Sequence, residues 1–238
     1  MRFSRITSAV AAVLLGSAAH ATTITIETFD FTEWQNVTAG GIVEDFESIH
    51  DGANFVSGSE GELDGPLSTN VGTFSSLGGS GSGSTCAANS TTGCTQIALE
   101  NDEGINDQGN LVPENGEWSL SSNDTLGIQW DASTGGVFSR LVFGIRDAAD
   151  ISDIFVTITA NGASKQIGPN EASGSEYLVV VSFSEAVSSA LVKIENSENK
   201  PDDAFTIDGV AAVPLPASAL LLLGGIGALG VARRRRRA

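Results

Sequence analysis

The 238-residue chain is short of the side chains on which most enzymes depend. It has two histidines and one tyrosine, and His20 falls in a segment that reads as removable, which leaves His50 and Tyr177. No Ser/His pair, Gly-x-Ser-x-Gly elbow or phosphate-cradling glycine loop is present, which removes common nucleophilic hydrolases and nucleotide-binding folds from consideration. No catalytic residue is assigned, and His50 reads as a surface residue. A glycosidase-type carboxylate pair stays open, because among 29 acids some pair will stand at the required spacing. Basic residues are also scarce. Seven of the 12 lie in the terminal segments, so Arg140, Arg146, Lys165, Lys193 and Lys200 alone face all 29 acids in residues 22–212, a net charge of −24. Such a surface repels phosphate backbones and excludes nucleic acid as a partner. It suits divalent cations, saline water or basic partners.

Helical periodicity and internal repeats are missing from residues 22–212, a length that supports one good core and scarcely two. In their place stand short runs of Val, Ile, Thr and Phe between Gly, Asn, Asp and Ser clusters, the signature of an all-β sandwich or barrel. Strands are expected at Thr22–Thr28, Gly41–Phe46, Val71–Ser76, Thr95–Glu100 and Glu117–Ser121. Others follow at Leu126–Trp130, Phe138–Ile145, Ile151–Ala160, Glu176–Phe183, Ala190–Glu195 and Ala204–Ala211. Asn161-Gly162 after the alternating run Asp153–Thr159 is a hairpin signal, since both residues tolerate positive φ. The tract Gly78–Ser84 (GGSGSGS) reads as a flexible loop without an anchoring side chain, and Glu100–Asn115 as a long acidic one. Dividing the chain near residue 116 would leave two halves thin in core, so a single sandwich is expected.

There are only two cysteines, Cys86 and Cys94, and both lie in the exported part. An even number, short spacing and an oxidising compartment point to a disulfide. A two-thiol metal site would need further soft or nitrogen ligands, and none lie nearby in sequence.

The two ends carry addresses. Arg2 and Arg5, the apolar run Ile6–Leu15 and the terminus Ala19-His20-Ala21 make the three parts of a signal peptide, with cleavage expected after Ala21. At the other end, residues 217–232 hold no charge and precede Arg233, Arg234, Arg235, Arg236 and Arg237. As a helix this run reaches about 24 Å, short of the ~30 Å hydrocarbon core, a mismatch that arginine snorkelling and local thinning absorb. The arginines keep this flank cytoplasmic, so the rest of the chain lies outside, in agreement with the signal peptide. Pro214 and Pro216 break any regular element just before the run.

The order of motif, glycine-containing apolar helix and arginine cluster resembles the PEP-CTERM class of sorting signals. The nearest variant is the one spelled by Val213-Pro214-Leu215-Pro216-Ala217. The resemblance implies an exosortase-type processing partner, a membrane-tethered intermediate in the inner membrane, and delivery to the cell surface or extracellular matrix. A plain C-terminal anchor is the other reading of the same residues. From Phe143-Gly144-Ile145-Arg146-Asp147 to the closing Phe205–Val210, the chain also resembles the generic ectodomains that precede such tails. That closing strand is similar to the last strand of jelly-roll carbohydrate-binding modules, where an acid helps hold calcium.

Two candidate ligand sites follow. Calcium wants six to eight oxygens, and Glu44-Asp45-Phe46-Glu47 near the start could join Asp208 near the end to supply them, with Glu47 and Asp208 as the expected ligands. Glu100–Asp107 is a second, compositional candidate. Of the three tryptophans, Trp130 ends an apolar strand and reads as core, while Trp34 among polar neighbours is the candidate for stacking on a sugar ring of an extracellular polysaccharide. The expected protein is a jelly-roll-like, non-enzymatic surface module that binds glycan or calcium. Its rivals are a structural matrix component with no specific ligand and a secreted polysaccharide hydrolase.

Overall fold

The computed structural model describes residues 22–57, 59, 61–81, 83, 86, 93–101, 110–113, 116–146, 155–168, 176–196 and 204–215. The signal segment, the apolar run with its arginines, Pro216, Ala217 and most of the Glu100–Asp107 stretch lie outside these residues. Among those described, no helix is long and apolar enough to cross a membrane.

Thirteen strands account for most of the described chain. They are β1 (Ile24–Phe29), β2 (Ile42–Glu44), β3 (Leu67–Thr69), β4 (Gly72–Ser76), β5 (Ala98–Asn101), β6 (Trp118–Ser121) and β7 (Gly127–Ala132). There follow β8 (Phe138–Arg146), β9 (Phe155–Ala160), β10 (Ala163–Ile167), β11 (Glu176–Val187), β12 (Ala190–Glu195) and β13 (Thr206–Val213). They form two antiparallel sheets. One runs β1-β11-β8-β13-β6-β5 with β2 also on β13, and the other runs β10-β9-β12-β7-β4-β3. From β7 onward the chain crosses repeatedly between sheets, as in a jelly roll. β1 pairs with β11 and β4 with β7, so the early strands are built into the same sheets as the late ones.

One core fills the space between the sheets. Period-two alternation sends Leu141, Phe143 and Ile145 of β8 inward to meet Ile128, Trp130, Val156, Ile158, Val192 and Ile194 of the other sheet. The opposite face of the first sheet is also apolar. Val142, Leu178, Val180, Ala211 and Val213 form a second cluster there, covered by Phe29, Phe31, Trp34, Val37 and Val43. The cover is the short helix α1 (Trp34–Thr38) with the 3-10 turn before it, whose Asp30 side chain caps Thr32 N–H at 2.9 Å. Burial on both faces explains why Leu178–Val181 is apolar at every position, since alternation survives only where one face is wet.

This arrangement corrects the expectation for Trp34. The outer face of the sheet needs a lid, and Trp34 supplies it, half-buried against the second cluster with its indole Nε1 donating to Gly209 O at 3.0 Å. Two strands were not expected, β3 and β10. Both are sheet edges, and β10 (Ala-Ser-Lys-Gln-Ile) has no buried residue to generate a pattern. Its central Lys165 is the sort of residue that guards an edge from further pairing.

The glycine tract also differs from expectation. Where it is described, it packs against the turn Asn123–Leu126 rather than standing off as a loop. Leu126 N–H donates to Gly78 O at 2.8 Å, and Gly81 N–H to Cys94 O at 2.9 Å. A Cβ on Gly81 would lie 2.7 Å from Asn123 O, and one on Gly83 would lie 2.5 Å from the Asp124 carboxylate. Glycine is there for clearance. The Cys86–Cys94 disulfide closes the far side, with Cα atoms 5.6 Å apart, and Cys86 N–H donates to Asp124 Oδ2 at 2.7 Å. The double substitution Cys86→Ser/Cys94→Ser should cost about 2.5 kcal/mol, the chain entropy of a loop this short. Urea unfolding would read this as a lower midpoint at constant slope, and an unmoved midpoint would contradict it.

Candidate functional site

The most informative local structure is the place where the chain leaves the sandwich. β13 is a central strand, buried along its whole length, with β8 on one side and β6 and β2 on the other. Its pairing with β8 shifts between Asp208 and Ala211, and Gly209 takes φ +57°. The irregularity changes the alternation: Ile207, Val210 and Ala212 all face the main core, a spacing of three and then two. No side chain fits at Gly209, because a Cβ would stand 2.7 Å from Trp34 Nε1.

Strand pairing continues to Val213, opposite Arg140. Val213 is 8 % exposed and belongs to the second apolar cluster. Pro214 and Leu215 are the first exposed residues beyond it. The first residue of the expected sorting motif is thus a structural residue of the sheet, and no linker separates the folded domain from the tail. Arg140 in turn donates through Nη1 to Val37 O at 3.2 Å and ties α1 to the exit strand.

The acids singled out for calcium have another role. Asp208 is fully buried, and its Oδ2 accepts from Leu111 N–H at 2.7 Å and Val112 N–H at 2.8 Å, while Oδ1 accepts from Gly209 N–H at 2.6 Å. Glu47 Oε1 accepts from Glu117 N–H and Trp118 N–H, both at 2.8 Å. The two carboxylates therefore hold the two ends of the segment that leads into β6. These donors occupy Glu47 Oε1 and both oxygens of Asp208. Among the described residues no three His, Cys, Asp or Glu side chains group as metal ligands. The expected neighbourhood was right in one respect, since β2, which carries Glu44, pairs with β13.

Glu62 uses the same device, its Oε1 accepting from Thr95 and Gln96 N–H at 2.8 and 3.1 Å. These bonds satisfy main-chain donors that no strand partner reaches. Apart from the Gly209 bond to adjacent Asp208, they join residues 33 to 97 apart in sequence, so no local pattern announces them. Burial pushes the Asp208 carboxyl well above its ordinary range against the opposing pull of its three N–H donors, and nearby Asp45 adds to the rise. Glu44 is raised as well, by burial first, with Phe46 N–H pulling it down and Asp45 adding a smaller rise.

His50 is not simply a surface residue. Its ring stacks on Trp118 with centroids 3.6 Å apart and planes 19° from parallel, and Nδ1 lies 3.6 Å from Asp51 Oδ1. Phe55 flanks the pair at 5.4 Å. Tryptophan after an acidic loop gave no hint of a histidine partner 68 positions earlier in the sequence.

Comparison with known proteins agrees with the geometry at the exit. Residues 212–237 match the PEP-CTERM protein-sorting motif. The chain therefore carries the tail of an exported, surface-directed protein sorted by an exosortase-type system, and the match begins two residues inside β13. No curated protein matches the chain. Among solved structures, the CBM22-1 xylan-binding domain from Paenibacillus barcinonensis Xyn10C is 14% identical, with a TM-score of 0.26, over 50% of this chain and 94% of that one. The K1 cleaved adhesin domain of Lys-gingipain from Porphyromonas gingivalis is 11% identical, with a TM-score of 0.27, over 81% and 99%. At such scores these likenesses carry no functional information.

Proposed function

We propose that this exported protein with a PEP-CTERM sorting tail is a non-enzymatic surface or matrix module. Its tail inserts in the inner membrane, is cut at the 213–217 motif, and releases the sandwich to the cell surface. The observation that carries this reading is the continuity of the matched tail with a buried central strand. Pro214 and Leu215 emerge exposed from a buried sheet strand, which supports access by a processing enzyme at this point. The non-enzymatic reading is supported by the work three acids do: Glu47, Glu62 and Asp208 are spent on loop anchoring. Extracellular polysaccharide is the partner class such a module would meet after release.

Replacing both Pro214 and Pro216 by alanine tests the sorting step without touching the core, because Pro214 is exposed and the sheet ends before it. Full-length variant should accumulate in the inner membrane, while the wild-type ectodomain leaves it. Wild-type protein that stays in the inner membrane intact to Ala238 would contradict the proposal.

A further inference from the structure

The strand directions place five short connections, and the start of β1, at the end of the sandwich from which the tail leaves. β13 finishes at Val213 beside the start of β8, and Ala132 at the end of β7 pairs with both Ala190 and Gly72. The exit end therefore holds residues 39–41, 70–71, 133–137, 161–162 and 188–189 together with Pro214 and Leu215. None of these carries a charged side chain, in an ectodomain whose net charge is −24 from 29 acids against five bases. The β5–β6 connection, residues 102–117 with five acids, faces the same way but leaves the sheet level with the middle of β13. The nearest carboxylates on the other strands are Asp131, one residue from the end of β7, and Glu185, two residues from the end of β11. At the opposite end, β8, β10 and β12 finish where segments 147–154, 168–175 and 197–203 begin, and these carry seven acids and one lysine.

Apolar exposure is distributed just as unevenly. Among the described residues the exposed large hydrophobic side chains are Ile42, Val137 and Leu215, and all three lie at the exit end. Ile42 begins β2 opposite Ala212, Val137 directly precedes β8, and Leu215 is on the tail itself.

We propose that the exit end is a lipid-docking surface on which the folded sandwich sits while its tail is inserted, with Ile42, Val137 and Leu215 reaching the interfacial layer. The proposal rests on the membrane-inserted reading of the tail given above. Three residues separate buried Val213 from Ala217, where the apolar run begins, and fully extended the four steps from one to the other span at most ~14 Å. The headgroup layer is itself about 5–7 Å thick on each side of the hydrocarbon core. With so short a tether the domain stands no more than about 10 Å from the headgroups, so the surface facing the lipid must tolerate it. An acidic end would be repelled by anionic headgroups. An end whose short connections carry no acidic side chain and which exposes three aliphatic side chains meets less repulsion.

The test uses the full chain reconstituted in vesicles of phosphatidylethanolamine and phosphatidylglycerol, with a benzophenone side chain at position 42, 137 or 176 in turn. Glu176 begins β11 at the opposite end and is exposed. Photolysis should give lipid adducts, detected by mass spectrometry, at 42 and 137 and none at 176. Inserting a Gly/Ser linker of about twelve residues, ~20 Å in mean span, after Leu215 should abolish the adducts at 42 and 137 while the protein stays in the vesicles. Protein that resists carbonate extraction yet gives no adducts at 42 or 137 overturns the docking surface and leaves the tail reading intact. Adducts that appear equally at 176 overturn it too. Protein extracted by carbonate overturns both readings together.

Discussion

Replacing Val213 by lysine should lower the stability of the ectodomain by about 3 kcal/mol, the cost of placing an unpaired charge in a buried site. For a domain of this size that is a fall of about 6–12 °C in melting temperature. Val213 packs with Val142, Leu178, Val180 and Ala211 under the α1 lid, and it stands opposite Arg140 in the sheet. Lysine is the sharper choice because aspartate would find a partner in Arg140. The neighbouring Pro214→Lys, at an exposed position, should change stability by less than about 0.5 kcal/mol. Thermal unfolding of the isolated ectodomain, ending at Leu215, measures both. Equal effects at the two positions would show that the sheet ends before Val213 and that motif and fold are separate.

The second large effect is expected at Asp208. Asp208→Ala leaves Leu111, Val112 and Gly209 N–H groups without their acceptor. An orphaned buried donor costs about 1–3 kcal/mol, and removing a buried carboxylate returns part of this, so a net loss of about 2–4 kcal/mol is expected. The pH dependence has a definite sign. The folded-state pKa of Asp208 lies above its unfolded value, so the folded protein holds this proton to higher pH than the unfolded chain does. Its contribution is fully present below the ordinary Asp range, about pH 4, and declines as pH rises through the raised folded value. The gap between wild type and Asp208→Ala should therefore widen from pH 8 toward pH 4, read by urea unfolding at each pH. A gap that narrows on acidification would mean that the three N–H donors outweigh burial.

The sandwich was readable wherever a strand has one wet face. β9 alternates, and its Asn161-Gly162 turn closes the hairpin onto β10. It was harder to read where the sheet is dry on both sides, since Leu178–Val181 of β11 and Val210–Val213 of β13 are apolar at every position and give no face assignment. The edge strands β3 and β10 escaped for the opposite reason, having too little apolar surface to show a period. Trp34 was misjudged because its polar neighbours in sequence face solvent while its own ring covers the second apolar cluster. The acid anchors were invisible for a different reason. A carboxylate that binds main-chain N–H groups many tens of residues away depends on topology, and neither Glu47 nor Asp208 has a local pattern that tells such an anchor from a metal ligand.

The sorting tail was the most legible part of the molecule, because its information is linear: a motif, an apolar run and a basic cluster in fixed order. What the sequence could not show is that the tail begins inside the fold. That overlap limits where processing can occur, since a cut before Val213 would remove it from the second cluster and open the sheet. The direct measurement is the intact mass of the form recovered from the cell surface. The account predicts a single species that starts at Thr22, keeps Val213 and ends between Pro214 and Ala217. A surface form that retains the arginine cluster, or one that ends upstream of Val213, would contradict it.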